Sequence, residues 1–205
     1  LKSGSVFLQK KSEIFLQKYM NQRQIIEKYE KLRLSVLKHS NKPVLFIFVG
    51  IPSSGKTTLA KFLEKKLPAI RVSSDEIKVA LFGKSGYDLN AIFDCQHQIL
   101  KNLAPTDFHL ISDANSAKKE YREKLVELAK KNSRKAIIVF CKISAAKASQ
   151  RMKLRKGKKF YSSREQIAEY LKELEIPERA IVIDTGVLNL SQSKKALWDS
   201  LKSYE

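Results

Sequence analysis

At 205 residues and 43% hydrophobic, the chain holds enough apolar side chains for one packed domain and is short for two. Forty Lys and Arg against 21 Asp and Glu leave a formal charge of +19, a field that draws polyanions such as nucleic acids and nucleotides, although basic residues scattered along the whole chain are also what a lysine-rich proteome produces. Cys95 and Cys141 stand alone, without a CxxC or a nearby His pair, so neither a disulfide framework nor a zinc site is suggested, and the longest apolar run, Val44 to Val49, is too short to span a bilayer. A reducing, cytoplasmic setting with no membrane partner is expected. The sequence opens on Leu1, as a piece of a longer protein would.

Residues 6–37 carry Ile14, Phe15, Tyr19, Ile25, Ile26, Tyr29, Leu32 and Val36 at spacings of mostly three and four, the pattern of one or two amphipathic helices whose job is packing. This defines an N-terminal helical extension over 1–43. After Pro43 the period changes. "VLFIFV" is a continuous apolar burst, the mark of a buried parallel strand, and it opens a domain expected to run over 44–205. Strands are expected at 44–49, 69–73, 107–112, 135–141 and 180–184. Helical patterns lie between them at 55–66, 74–82, 90–103, 117–131, 144–155 and 163–174, with a last helix near 191–202. Alternation of this kind predicts an α/β fold: a five-stranded parallel sheet covered by helices on both faces, with ligands at the carboxyl ends of the strands. The basic stretch Lys153 to Lys159, within a lid expected at about 144–163, falls between two helices.

Gly50, Gly55, Lys56 and Thr57 form G-x-x-x-x-G-K-[ST] after the first strand and before a helix. Glycines let such a loop turn back so that backbone N–H groups converge on phosphate oxygens, and the helix aims its positive end at the same place. Gly50, Ser53, Ser54, Gly55, Lys56, Thr57 and Thr58 are therefore the expected contacts to ATP or GTP. Lys56 would bridge the β- and γ-phosphates, and the Thr57 hydroxyl would hold Mg²⁺.

Three other strand ends supply polar groups. "SSDEIK" places Asp75 just past the second strand with Lys78 one turn on, and a carboxylate there suits a base that aligns and deprotonates an attacking alcohol. The rival reading is helix capping by Ser74 or Asp75. "HLISDANS" places Asp113 and Asn115 at the same edge, where the carboxylate would orient a cation, its water or Lys78; a cap is again the rival. In "SQRMKLRKGKKFYS", Arg151 and Arg155 are four apart and share a helix face, from which both would reach the phosphates and help exclude water. His97 is expected to be partly buried and hydrogen-bonded, and Phe93 and Tyr87 to be core rather than platforms for a base.

"GIPSSGKTT", "SSDEIK", "ISDANS" followed by "YREKL", and "RMKLR" together resemble the P-loop kinases related to polynucleotide 5′-hydroxyl kinase, a group that shades into zeta toxins and chloramphenicol phosphotransferase. The similarity covers about residues 44–186. The resemblance implies that Asp75 is the general base. It implies that Lys78 stands where polynucleotide kinases carry an Arg on the acceptor phosphate, and that Asp113, Asn115 and Arg122 belong to the acceptor side. Arg151 and Arg155 match the lid arginines, and "VIDTG" at 182–186 matches the loop beside the adenine. Lys supplies the charge of that Arg but not its fork. The function so implied is transfer of the γ-phosphate to the 5′-hydroxyl end of RNA or DNA. The alternative is a small-molecule or nucleotide-sugar kinase, and a third, nucleotide-gated binding module is disfavoured because neither "HLISD" nor "AIVID" is followed by Glu.

Overall fold

The computed structural model of the protein describes residues 2–35, 40–83, 88–154 and 164–202. In chain order the elements are α1 (Lys2–Arg33), β1 (Val44–Val49), α2 (Lys56–Lys66), β2 (Ala69–Ser73), α3 (Ser74–Phe82), α4 (Leu89–Leu103), β3 (His109–Asp113), α5 (Lys119–Lys131), β4 (Lys135–Lys142), α6 (Ala145–Lys153), α7 (Arg164–Glu173), β5 (Ile181–Asp184) and α8 (Leu190–Lys202). The strands form one parallel sheet in the order β2-β3-β1-β4-β5. This is the expected α/β architecture of a P-loop NTPase.

Every residue of β1 is buried, which explains why its sequence shows no alternation: both faces of the central strand are covered. Successive side chains still point to opposite faces. Leu45 and Ile47 join the layer built by α1, α3, α4 and α5, while Val44, Phe46 and Phe48 join the layer of α2 and α8. A third, smaller cluster of Ile51, Ile143, Ala148, Met152 and Ile167 seats α6 and α7 beside the phosphate loop.

The N-terminal pattern forms one continuous helix. Only part of its stripe docks: Ile25 and Tyr29 are buried in the main core cluster, whereas Tyr19 is 58% exposed. α1 thus shares the apolar core of the sheet. Boundaries elsewhere differ from expectation by one or two residues, as helix and strand ends usually do. β3 begins at His109 rather than 107, and α6 stops at Lys153 with Leu154 as its C-cap, short of residue 155. Both cysteines are free and buried, and burial pushes each thiol up to about 12. No helix among the described residues is long and apolar enough to cross a membrane.

Candidate active site

The loop between β1 and α2 turns on two glycines. Gly50 sits at φ 146°, and a Cβ there would lie 2.7 Å from both the Cys141 carbonyl oxygen and Ser54 Oγ. Gly55 caps α2 at φ 89°, with no side-chain cap and no acidic residue in the helix's first turn. The positive end of α2 is left for an anion. Ser53 also has positive φ, at 64°, so the loop bends sharply at a residue that normally avoids this region. Ser54 is fully buried with an unpartnered hydroxyl, and Thr58 is exposed on α2 with its amide bonded back to Gly55.

Lys56 curls over the loop, its Nζ donating to the carbonyls of Gly50 (2.6 Å) and Ile51 (2.9 Å). Thr57 Oγ1 donates to Asp113 Oδ1 at 3.1 Å, and the Gly50 N–H donates to the Asn115 carbonyl at 3.3 Å, so the ends of β1 and β3 are stitched together. Burial pushes the Asp113 carboxyl up, and Arg71, Lys56 and Thr57 pull it back. No group of three or more His, Cys, Asp or Glu among the described residues is placed to hold a metal alone. Thr57 and Asp113 instead offer one hydroxyl and one carboxylate, the set that suits Mg²⁺ shared with nucleotide phosphates and water.

Arg151 reaches the loop from α6. Its guanidinium donates to the Ser53 carbonyl (3.5 Å), to Thr185 Oγ1 (3.4 Å) and to the Thr185 carbonyl. Thr185 in turn donates to the Ser54 carbonyl at 2.7 Å, which ties the 182–186 segment to the back of the loop. Arg155 lies outside the described residues, as does Tyr87.

At the ends of β2 and β3 the capping readings fail. α3 is capped by Ser73, whose hydroxyl accepts from the Glu76 N–H, and α5 has Lys118 at its N-cap with no side-chain bond. Asp75 is exposed on the first turn of α3, and Lys78 is half-buried one turn further. Asn115 Oδ1 is buried without a hydrogen-bond partner, and its neighbour Ser116, at φ 46°, has an unpartnered buried hydroxyl too. Arg122 differs from expectation: it is only 4% exposed and donates to the carbonyls of Ser116 (2.9 Å) and Ala117 (2.6 Å), bracing the loop that carries Asn115. Among the described residues His97 Nδ1 has no hydrogen-bond partner, against expectation, and burial holds its pKa below the ordinary value. Phe93 packs on Tyr121 with ring centroids 4.6 Å apart.

Sequence reasoning missed the charged cluster under the site. Arg71, buried in β2, donates to Asp113 Oδ2 (2.9 Å), Glu76 Oε1 (2.6 Å) and Glu64 Oε2 (3.2 Å). The available signal was a charged residue inside an otherwise apolar parallel strand, "AIRVS". A cavity of about 680 Å³ lined by Pro43, Phe46, Leu67, His109 and Trp198 lies at the opposite edge of the sheet, where the strands begin. Ligands of open α/β sheets bind beyond the carboxyl ends of strands, the edge that carries the phosphate loop and not this cavity.

A family profile described as an AAA domain matches residues 45–177. No curated protein matches the sequence. Among solved structures, the chain is similar to a gluconokinase from Sinorhizobium meliloti 1021, at 18% identity over 79% of this chain and 93% of that one, with a TM-score of 0.62. A putative kinase from Chloroflexus aurantiacus matches at 19% identity over 79% and 97%, with a TM-score of 0.62. An APS kinase from Mycobacterium tuberculosis in complex with AMPPNP and APS matches at 17% over 78% and 98%, with a TM-score of 0.57. At these identities the likeness is one of fold.

Proposed function

This chain belongs to the AAA domain family, and we propose that it is a P-loop kinase that moves the γ-phosphoryl group of ATP to a hydroxyl of a small-molecule acceptor. The observation that carries this reading is the pairing of Thr57 with Asp113 beneath the phosphate loop while Asp75, relieved of capping by Ser73, stands exposed past the end of β2. One carboxylate is committed to the metal side and a second is left for the acceptor.

In this mechanism the loop amides and Lys56 hold the β- and γ-phosphates, and the Lys56 ammonium leaves the Gly50 and Ile51 carbonyls to do so. Thr57 and Asp113 would hold Mg²⁺, which would supply positive charge to offset that of the phosphates. Asp75 accepts the proton of the acceptor hydroxyl as its oxygen forms a bond to the γ-phosphorus. The bond from that phosphorus to the bridging oxygen breaks, and ADP departs with the electron pair. Arg151, held against Ser53 and Thr185, is the cation that neutralises the transferring group. Asn115, Ser116 and Lys78 are the groups offered to the rest of the acceptor.

The small-molecule acceptor is favoured because solved structures of this fold include a gluconokinase and an APS kinase. The 5′-hydroxyl of RNA or DNA is the second reading, supported by the "ISDANS" block and the charge of +19. The test is γ-labelled ATP and Mg²⁺ with separate pools of sugars and sugar acids, nucleotides and nucleotide sugars, antibiotics, and 5′-hydroxyl oligonucleotides, with Lys56→Ala as control. Label in a small-molecule pool supports the first reading. Label confined to the oligonucleotides transfers the assignment to a polynucleotide kinase.

A further inference from the structure

In the charged cluster beneath the site Arg71 and Asp113 are buried, while Glu64 and Glu76 are half-exposed. Arg71 is 7% exposed at its side chain, and its Nε, Nη1 and Nη2 each donate to a carboxylate from a different element: Glu64 of α2, Asp113 of β3 and Glu76 of α3. Three carboxylates on one guanidinium leave two negative charges in excess, and Lys28 of α1 offsets one of them through Glu76 Oε2 at 3.3 Å. Apolar replacements of buried ion pairs are often neutral or stabilising, so stability alone gives little reason for such an arrangement.

We propose that Arg71 is a positioning residue for the metal-holding carboxylate Asp113, and that Tyr29 of the N-terminal helix extends the same scaffold to the turn that carries Asp75. The inference rests on the kinase reading of the site. Asp113 is 2% exposed at its side chain and has two oxygens with two fixed partners: Arg71 Nη1 takes Oδ2 at 2.9 Å, which sets the carboxylate plane and turns Oδ1 to Thr57 at 3.1 Å. A planar fork that also grips Glu64 and Glu76 locks that plane to the phosphate-loop helix and to the acceptor helix at once. Lysine, a point charge, supplies the charge without the fork that fixes the orientation of all three carboxylates.

Tyr29 completes the arrangement from the other side. It is 1% exposed; its phenol accepts the Ser73 N–H at 3.2 Å and donates to Glu76 Oε2 at 3.4 Å. The first turn of α3 is held between Arg71 of β2 and Tyr29 of α1. Supporting groups of this kind, one contact removed from the reacting atoms, decide whether a site keeps its working geometry.

The test measures Mn²⁺ binding to the complex of the full chain with AMPPNP by electron paramagnetic resonance, beside metal-free AMPPNP affinity. Arg71→Met is expected to weaken Mn²⁺ binding tenfold or more with metal-free nucleotide affinity within twofold, and Arg71→Lys to recover part of the loss. Mn²⁺ affinity within twofold of wild type in folded Arg71→Met overturns the proposal. Should Arg71→Met not fold, Arg71→Lys carries the test: at least a threefold loss is expected, and an unchanged affinity overturns it. Tyr29→Phe is expected to speed amide exchange tenfold in residues 74–78 and to leave β1 unchanged; equal protection there removes Tyr29 from the scaffold. A wild-type chain that binds no AMPPNP contradicts the kinase reading itself, an outcome distinct from any of these.

Discussion

Gly50 and Lys56 carry the sharpest claims at the scale of single residues. A Cβ at position 50 meets the Cys141 carbonyl and Ser54 Oγ at 2.7 Å, and both would have to move from a backbone held at positive φ. Gly50→Ala is expected to cost about 1–3 kcal/mol in stability and at least tenfold in nucleotide affinity, read by urea unfolding and AMPPNP titration. Lys56→Ala removes only a side chain that rests on loop carbonyls. Its unfolding midpoint is expected to stay near wild type while transfer falls a hundredfold or more. What could be read from sequence here followed the chemistry of short motifs. Gly50, Gly55, Lys56 and Thr57 are close in space because a strand–loop–helix unit dictates it, and Asp113 joins them because β3 pairs beside β1. Arg71 was not legible, because its three partners lie in three other elements and a lone charge in a strand carries no address. Arg122 was expected at the site by resemblance alone, and its burial against two carbonyls depends on how the 116–117 loop turns, which spacing does not encode.

α1 is where the structure adds most at the scale of elements. Its apolar spacing identified a helix, but not which turns dock, since Ile25 and Tyr29 are buried while Tyr19 on the same stripe is exposed. If α1 is part of the core, Ile25→Ala should destabilise the whole protein by about 2–4 kcal/mol in a single cooperative transition. A loss under about 0.5 kcal/mol would mark α1 as a loosely attached extension. The α1–α3 junction also gives a pH dependence. Burial alone would raise the Glu76 carboxyl, and Arg71 and Lys28 more than offset that, so it sits below the ordinary carboxylate range. A group with a depressed folded pKa contributes stability that is present above its unfolded pKa, about 4.3, and is lost as pH falls through the folded value. Glu76→Gln is therefore expected to be less stable than wild type at pH 7 and to show a shallower loss below about pH 4.5, measured as urea midpoints across that range. Equal slopes for the two proteins would contradict the assignment.

The excess of 19 positive charges bears on the acceptor at the scale of the whole molecule. A nucleic-acid acceptor that contacts six to ten phosphates would lose roughly 10³–10⁵ in affinity between 50 and 200 mM salt, while a small acceptor of one or two charges would lose far less. The KM for the acceptor is expected to change by less than about fivefold over that range. The sheet and its helices were legible because each strand is a short apolar run bounded by turn residues and each helix keeps its period. The acceptor was not, since the same sheet edge serves many hydroxyl compounds and its choice is made by a few side chains on loops.

The central claim is that Asp75 receives the acceptor proton while Asp113 serves the metal side, and single-turnover transfer of labelled γ-phosphate by Asp75→Asn, with AMPPNP affinity measured beside it, tests this most directly. Transfer is expected to fall about 10²- to 10⁴-fold with nucleotide affinity within twofold of wild type. Transfer within threefold of wild type would remove Asp75 from the reaction and contradict the account.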